Sequence, residues 1–204
     1  RTALATLPAL GDKGAAARSR ISASQLNPRQ TGALIEHEND LYYVELDGSR
    51  AVRLTATPQR EEITSFSPDG RFVGFVRDND LYVVDVATAT ERRLTTDGSA
   101  LVTNGKADWV YFEELFNRRW QAYWWSPDSR RIAFLHLDDS PVHKFAVLDP
   151  IPTRQKVEMT AYPKAGDPLP HVELGCVTVG GGEPVYADLS DYSLTDRLVA
   201  RVGF

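Results

Sequence analysis

The chain repeats itself. "NDLYYVELDGSRAVRLT" begins at Asn39 and "NDLYVVDVATATERRLT" begins at Asn79, an offset of 40 residues. The same offset carries Pro28 onto Pro68 and Leu26 onto Phe66. A second motif, an aromatic residue before Ser-Pro-Asp, starts "FSPDGRFVGF" at Phe66 and "WSPDSRRIAF" at Trp125. Ser67-Pro68-Asp69-Gly70 has the residue order of a type I turn, with Ser first, Pro second and Gly fourth. Such a turn joins two antiparallel strands, and segments such as Leu81 to Val86 are rich in strand formers.

A period of about 40 to 45 residues containing about four short strands is the signature of a β-propeller blade. A β-sandwich with chance similarity is the competing architecture. One offset that aligns a turn, a strand and the "RLT" tripeptide favours blades. The expected fold is therefore all-β, a partial propeller of four-stranded antiparallel blades. Residues 1–23, including "GDKGAAARSR", read as a loose polar lead-in, and residues 24–204 as about four blades or part-blades. Val172 to Val179 reads as a late strand after the turn-rich "AYPKAGDPLP", and Gly180 to Gly182 as a hairpin turn. An incomplete propeller exposes strand edges that more protein usually covers, and the chain, which starts at Arg1, reads as part of a longer one.

The third unit breaks the period. From Phe66 to Trp125 the spacing is 59 residues, so roughly 19 have been inserted. The insertion contains "DWVYFEELF" from Asp108 to Phe116. Asp108 is a suitable helix N-cap, and Trp109, Phe112, Phe116 and Trp120 recur at helical spacing. A short helix is expected near 108–120, with Glu113 and Glu114 on it. Adjacent residues on an α-helix point about 100° apart, so the two carboxylates converge on one cation only near the helix axis or where the helix is irregular. The alternative is a solvated helix face with a Glu114–Arg118 ion pair. The dipeptide alone carries no signal. With 28 acids in 204 residues, about four adjacent acid pairs arise by chance. Three occur, Glu61-Glu62, Glu113-Glu114 and Asp138-Asp139. What sets Glu113-Glu114 apart is its place in an insertion into a repeat, where function is often carried.

Other chemistries find little support. A net charge of −5 and no basic run argue against a nucleic-acid partner. No apolar stretch approaches the roughly 20 residues of a membrane-spanning helix. Cys176 is the only cysteine, which excludes an internal disulfide, and it reads as a buried, inert thiol. No Gly-x-Ser-x-Gly elbow, metalloprotease helix, phosphate loop or EF-hand loop is present. His136, close to Asp138 and Asp139, reads as a hydrogen-bonded structural group in preference to a metal ligand. No catalytic residue, metal or cofactor is expected within the chain.

Together, "DWVYFEELF", then "YWWSPDSRRIAFLHLDDSPV", then "YPKAGDPLPHVELG", in that order from Asp108 to Gly175, resemble the propeller domain of the dipeptidyl peptidase IV family of serine peptidases. The resemblance implies an eight-bladed propeller capping an α/β-hydrolase domain that carries Ser, Asp and His. It implies release of N-terminal dipeptides with Pro or Ala second. It also implies that Glu113 and Glu114, on a short helix inserted in a blade, bind the α-ammonium of the peptide substrate. Members commonly dimerise, partly through the propeller, so a second copy is a candidate partner beside the hydrolase domain of the same parent chain. Exported bacterial relatives suggest a periplasmic or secreted location, with the cytoplasm as the alternative.

The chain departs from the family pattern in places. Phe112 stands where members often have a third acid, and Leu169-Pro170 where Asn-Pro is usual. The arginine that members place on an earlier blade against the substrate carbonyl has no match; the region around Glu36 and His37 offers an acid and an imidazole instead. Two rivals remain. One is the propeller of an oligopeptidase or acylaminoacyl peptidase, which only gates access and has no need of the glutamates. The other is a non-enzymatic binding scaffold.

Overall fold

The computed structural model describes residues 25–149, 151 and 153–204. The expected lead-in at 1–23 lies outside the described residues. Fourteen strands are described, and their order follows the repeat. Strands β1 (Gly32–His37), β2 (Asp40–Glu45) and β3 (Ala51–Arg53) form the first sheet, and Leu26 bridges Ala33 where a further strand would start. Strands β4 (Glu62–Phe66), β5 (Phe72–Arg77), β6 (Asp80–Asp85) and β7 (Glu91–Arg93) form a complete four-stranded antiparallel meander. These two sheets are the 40-residue repeat in three dimensions.

The repeated residues make the same bonds twice. The hairpins β1–β2 and β5–β6 turn through Glu38-Asn39 and Asp78-Asn79, all four with positive φ (49°, 71°, 50° and 64°). That is the two-residue type I′ loop whose twist matches the flanking strands. Asp40 then pairs with Arg53, and Asp80 with Arg93. The Thr55 hydroxyl accepts the Leu41 N–H at 2.8 Å, and the Thr95 hydroxyl accepts the Leu81 N–H at 3.0 Å. "RLT" therefore recurs because Arg closes on the buried Asp of the preceding strand, Leu fills the core, and Thr caps the ladder.

The Ser-Pro-Asp motifs also repeat bond for bond. Gly70 N–H donates to Ser67 O at 2.8 Å, closing the expected turn between β4 and β5. Ser67 Oγ–H donates to Asp69 at 2.6 Å and Oγ accepts the Phe72 N–H at 2.9 Å; Ser126 does the same with Asp128 and the Arg131 N–H at the same distances. The two turns touch, Asp69 N–H donating to Ser129 Oγ at 3.1 Å.

In the third sheet β10 (Arg131–Asp138) is central. It pairs with β13 (His171–Thr178), which carries β14 (Val185–Tyr186) at its edge. Two short strands share the opposite edge of β10, β8 (Val102–Asn104) against its end and β9 (Tyr123–Trp125) against its start. They are two halves of one blade strand, and the insertion leaves from the gap between them. Strands β11 (Lys144–Asp149) and β12 (Lys156–Ala161) form a separate two-stranded ribbon between β10 and β13, unforeseen in the sequence. Among the described residues the sheets do not close into a ring. Cys176, expected to be buried, is half-buried, because β14 covers β13 through only two residue pairs.

Neighbouring sheets pack face to face. Leu34, Leu41 and Tyr43 of the first meet Val73, Phe75 and Val84 of the second. Val76, Leu81 and Val83 meet Tyr123, Ile132 and Phe134 of the third. Tyr123 is fully buried, and burial pushes its phenol upward from the ordinary range. Its hydroxyl lies 2.6 Å from Ile63 O and 2.9 Å from Gly74 O and accepts the Ser65 hydroxyl at 2.9 Å. Ile63 has φ of 57°, an uncommon conformation for a β-branched residue, at the bulge between Glu62 and Ser65. Tyr123→Phe removes the donor near Ile63 O and Gly74 O and the acceptor of the Ser65 hydroxyl, which keeps only the Trp125 Nε1–H at 3.1 Å. It should cost about 1–3 kcal/mol, read as a lowered midpoint in urea unfolding.

Candidate functional site

The insertion folds as the sequence suggests at its start and differently at its end. Asp108 Oδ1 accepts the Tyr111 N–H at 2.8 Å, so Asp108 caps the turn as expected. The segment Tyr111–Leu115 then winds as a π-helix and not as an α-helix over 108–120. Phe112 N–H still reaches back four residues to Asp108 O, but Phe116 N–H reaches back five, to Tyr111 O at 2.7 Å. Asn117 and Arg118 follow with φ of 49° and 61°, which ends the helix and sends Trp120 out of the expected apolar face. Trp120 instead folds back to stack on Phe112, with ring centroids 3.9 Å apart. Phe112, where the family often has an acid, is thus occupied in packing.

Tyr111 anchors the turn in the core. It is fully buried, and its hydroxyl accepts the Val199 N–H at 2.8 Å. Burial pushes its phenol up to about 12. Ala107, Leu135, Leu137 and Val172 pack around it. The helix is therefore held by its inner face, and its outer face is left to the acids.

Glu113 is half-buried and Glu114 exposed. The expected Glu114–Arg118 ion pair is not made; Arg118 Nε donates to Glu113 Oε2 at 2.9 Å instead. The reason is geometric. The wide turn and the positive-φ pair after it swing Arg118 away from the i+4 position. Glu114 makes no hydrogen bond or ion pair among the described residues. It lines a cleft of about 660 Å³ together with Trp109, Tyr162, Lys164, Asp167 and Asp196. Trp109 packs on Tyr162 with centroids 4.2 Å apart, so "DWVY" and "YPKAG" meet in space. The cleft holds three acids to one lysine, a field that suits a cation.

The other two acidic pairs differ. Glu61 is buried, with Arg77 3.4 Å away, and Glu62 pairs with Lys106 at 2.6 Å. Asp138 accepts the Ser140 N–H at 2.8 Å. Asp139, whose Oδ1 is buried without a hydrogen-bond partner, is pushed up to about 7, by burial first and then by the charges of Asp108 and Asp138. His136 Nδ1 lies 3.1 Å from Asn104 Oδ1, a structural contact of the kind expected. Among the described residues no cluster of His, Cys, Asp or Glu is arranged to hold a metal ion.

The model of the dipeptidyl peptidase IV (DPP IV) N-terminal region matches residues 36–204. The chain belongs to the dipeptidyl peptidase IV family. Dipeptidyl aminopeptidase B of Saccharomyces cerevisiae is 36% identical over 147 residues, covering 68% of this chain and 18% of that protein. A probable dipeptidyl-aminopeptidase B of Ajellomyces dermatitidis is 34% identical over 175 residues, covering 79% of this chain and 19% of its own length. The crystal structure of Porphyromonas gingivalis dipeptidyl peptidase 4 superposes with a TM-score of 0.70 at 26% identity, over 83% of this chain and 26% of that one. The chain thus spans about a fifth of the curated relatives it matches. It is part of the N-terminal region of a larger DPP IV-like protein, a partial β-propeller.

Proposed function

We propose that this propeller segment is the substrate-reading part of a serine exopeptidase that releases N-terminal X-Pro or X-Ala dipeptides, and that Glu113 and Glu114 receive the substrate's α-ammonium. The observation that carries the reading is the π-helical turn: it interrupts a blade, is anchored from below by Tyr111, and leaves Glu114 unpaired in an acidic cleft. π-turns occur often at functional sites. The wider turn also relaxes the angular divergence that an α-helix imposes on adjacent residues.

The chemistry follows from what an exopeptidase must recognise. A chain end is marked by its ammonium, which has three donors. Two carboxylates accept them in charge-assisted hydrogen bonds. An internal peptide segment brings no charge and would leave the carboxylates desolvated and repelling each other, so it is rejected. Holding the ammonium also fixes which peptide bond reaches the nucleophile. That nucleophile belongs to an α/β-hydrolase domain of the parent. Glu113→Gln and Glu114→Gln in the full-length protein, assayed with dipeptidyl substrates, test the role; unchanged kcat/KM in both variants would reject it.

We also propose that the β11–β12 ribbon serves as a contact between two copies of the parent. Phe145, Val147, Leu148, Val157 and Met159 are exposed on it, and among the described residues its hairpin edges are unpaired. Leu148→Glu combined with Val157→Glu should shift the full-length protein from dimer to monomer in sedimentation. A dimer that withstands both changes would rule the ribbon out. The proposed location is periplasmic or secreted.

A further inference from the structure

We propose that the cleft between Trp120 and Glu61 binds a guanidinium group, the arginine side chain of a peptide. The cleft holds about 420 Å³, and Glu36, Arg60, Glu62 and Lys106 also line it. It shares no residue with the cleft that Glu114 lines. A smaller cleft of about 200 Å³ shares Glu36, Arg60 and Glu61 with it and reaches His37 and Glu38. The insertion and the first two sheets therefore meet around one acidic hollow.

The hollow is built around a carboxylate short of partners. Glu61 is 1% exposed. Its Oε1 accepts the Thr57 hydroxyl at 2.9 Å and lies 3.4 Å from Arg77 Nη1. Arg77 is committed elsewhere, its fork closing on both oxygens of Glu91. Among the described residues Glu61 Oε2 has no hydrogen-bond partner, and neither has His37 Nδ1. Burial raises the Glu61 carboxyl more than Thr57, Thr55 and Arg77 lower it, as expected of a charge that lacks donors. The other cations of the hollow do not supply them. Lys106 Nζ is held by Glu62 at 2.6 Å. Arg60 lies 3.9 Å from Glu36, and both side chains are at least half exposed.

An incoming organic cation fits this set; among the described residues no group of acids and histidines is arranged to hold a metal ion. Glu61 Oε2 lies just beneath the wall, where its charge acts at short range through little solvent. Glu36 offers a second carboxylate at the surface. Trp120 supplies the other side. One face of its ring stacks on Phe112, and the indole is still 44% exposed where it lines the cleft. A guanidinium is planar, stacks on an indole and offers five N–H donors. An ammonium is more strongly hydrated and gains less from the ring. Trp120 packs against the turn that carries Glu113 and Glu114, so the arginine is assigned to the peptide whose end that turn holds. This assignment to the substrate rests on the function proposed above.

N-acetyl-argininamide tests the cleft in the full-length protein by ligand-observed NMR titration, because its blocked amine cannot occupy the ammonium site. It should bind saturably and about 10-fold more tightly than N-acetyl-citrullinamide, its neutral isostere. N-acetyl-lysinamide should bind several-fold more weakly than the arginine amide. Glu61→Gln, which keeps an acceptor for Thr57, should weaken binding about 10-fold. Trp120→Leu and Glu36→Gln, both at exposed side chains, should each weaken it several-fold. Three results overturn the site: no saturable binding, equal affinity for the arginine and citrulline amides, or full binding in all three variants. Peptides carrying one arginine at successive positions after the first two residues test the source. KM should fall several-fold at one position in the native protein, and Glu61→Gln should abolish that gain with kcat unchanged. A KM indifferent to arginine at every position overturns the assignment to substrate. The amide titration needs no catalysis, so the cleft is tested even where the Glu113→Gln and Glu114→Gln variants refute the ammonium site.

Discussion

Replacing Glu113 or Glu114 by Gln in the full-length protein should lower kcat/KM for dipeptide release by about 10- to 100-fold each. The estimate comes from one charge-assisted hydrogen bond, about 1.5–3 kcal/mol, lost to an amide that cannot accept from the ammonium with full charge. The two losses should not add, because in the proposed role a single ammonium bridges both groups. Stability should hardly move. Glu114 has no partner among the described residues, and Glu113 has a surface pair with an arginine whose side chain is 75% exposed, worth no more than about 1 kcal/mol. A large kinetic effect beside an unchanged unfolding midpoint distinguishes a binding role from packing. Loss of both together would point to the helix face reading instead. Glu114 should be the more sensitive to added salt, being the more exposed of the two.

Asp80→Ala should be the most damaging change to the blades, costing about 3–5 kcal/mol. Asp80 is fully buried and faces four donors. Arg93 pairs with it, the Thr95 hydroxyl donates at 2.6 Å, the Gly98 N–H at 3.1 Å and the Asn104 amide at 3.2 Å. Asn104 belongs to β8, so this carboxylate joins the second sheet to the third. Removing it strands the Arg93 charge and opens the seam beside β10. Asp40, the repeat-related residue, bonds Arg53 and the Thr57 N–H and has no such inter-sheet bond. Asp40→Ala should therefore cost clearly less. Urea unfolding of the two variants side by side measures the difference, and equal losses would show that the seam contributes nothing.

The blades were legible because they are written twice. An Asp, an Arg and a Thr at fixed offsets close one ladder, and the second copy of the same bonds makes the pattern visible without any structure. The inserted turn was legible only at its cap. Trp109, Phe112, Phe116 and Trp120 have helical spacing, yet the chain leaves the helix at Asn117 and Arg118, where two non-glycine residues take positive φ. No local propensity announces that, since Arg is a good helix former. The ribbon was missed because β11 and β12 are exposed on both faces and show no buried alternation to read.

The split between β8 and β9 has a consequence for how such a protein changes over time. Both halves keep their own bonds to β10, so the blade is already complete on either side of the gap. A loop hung from that gap is thermodynamically cheap to resize, each doubling of its length adding only about 0.6 kcal/mol of closure entropy. The inserted turn is thereby a cassette. Its length and sequence can drift while the framework that presents it stays in register.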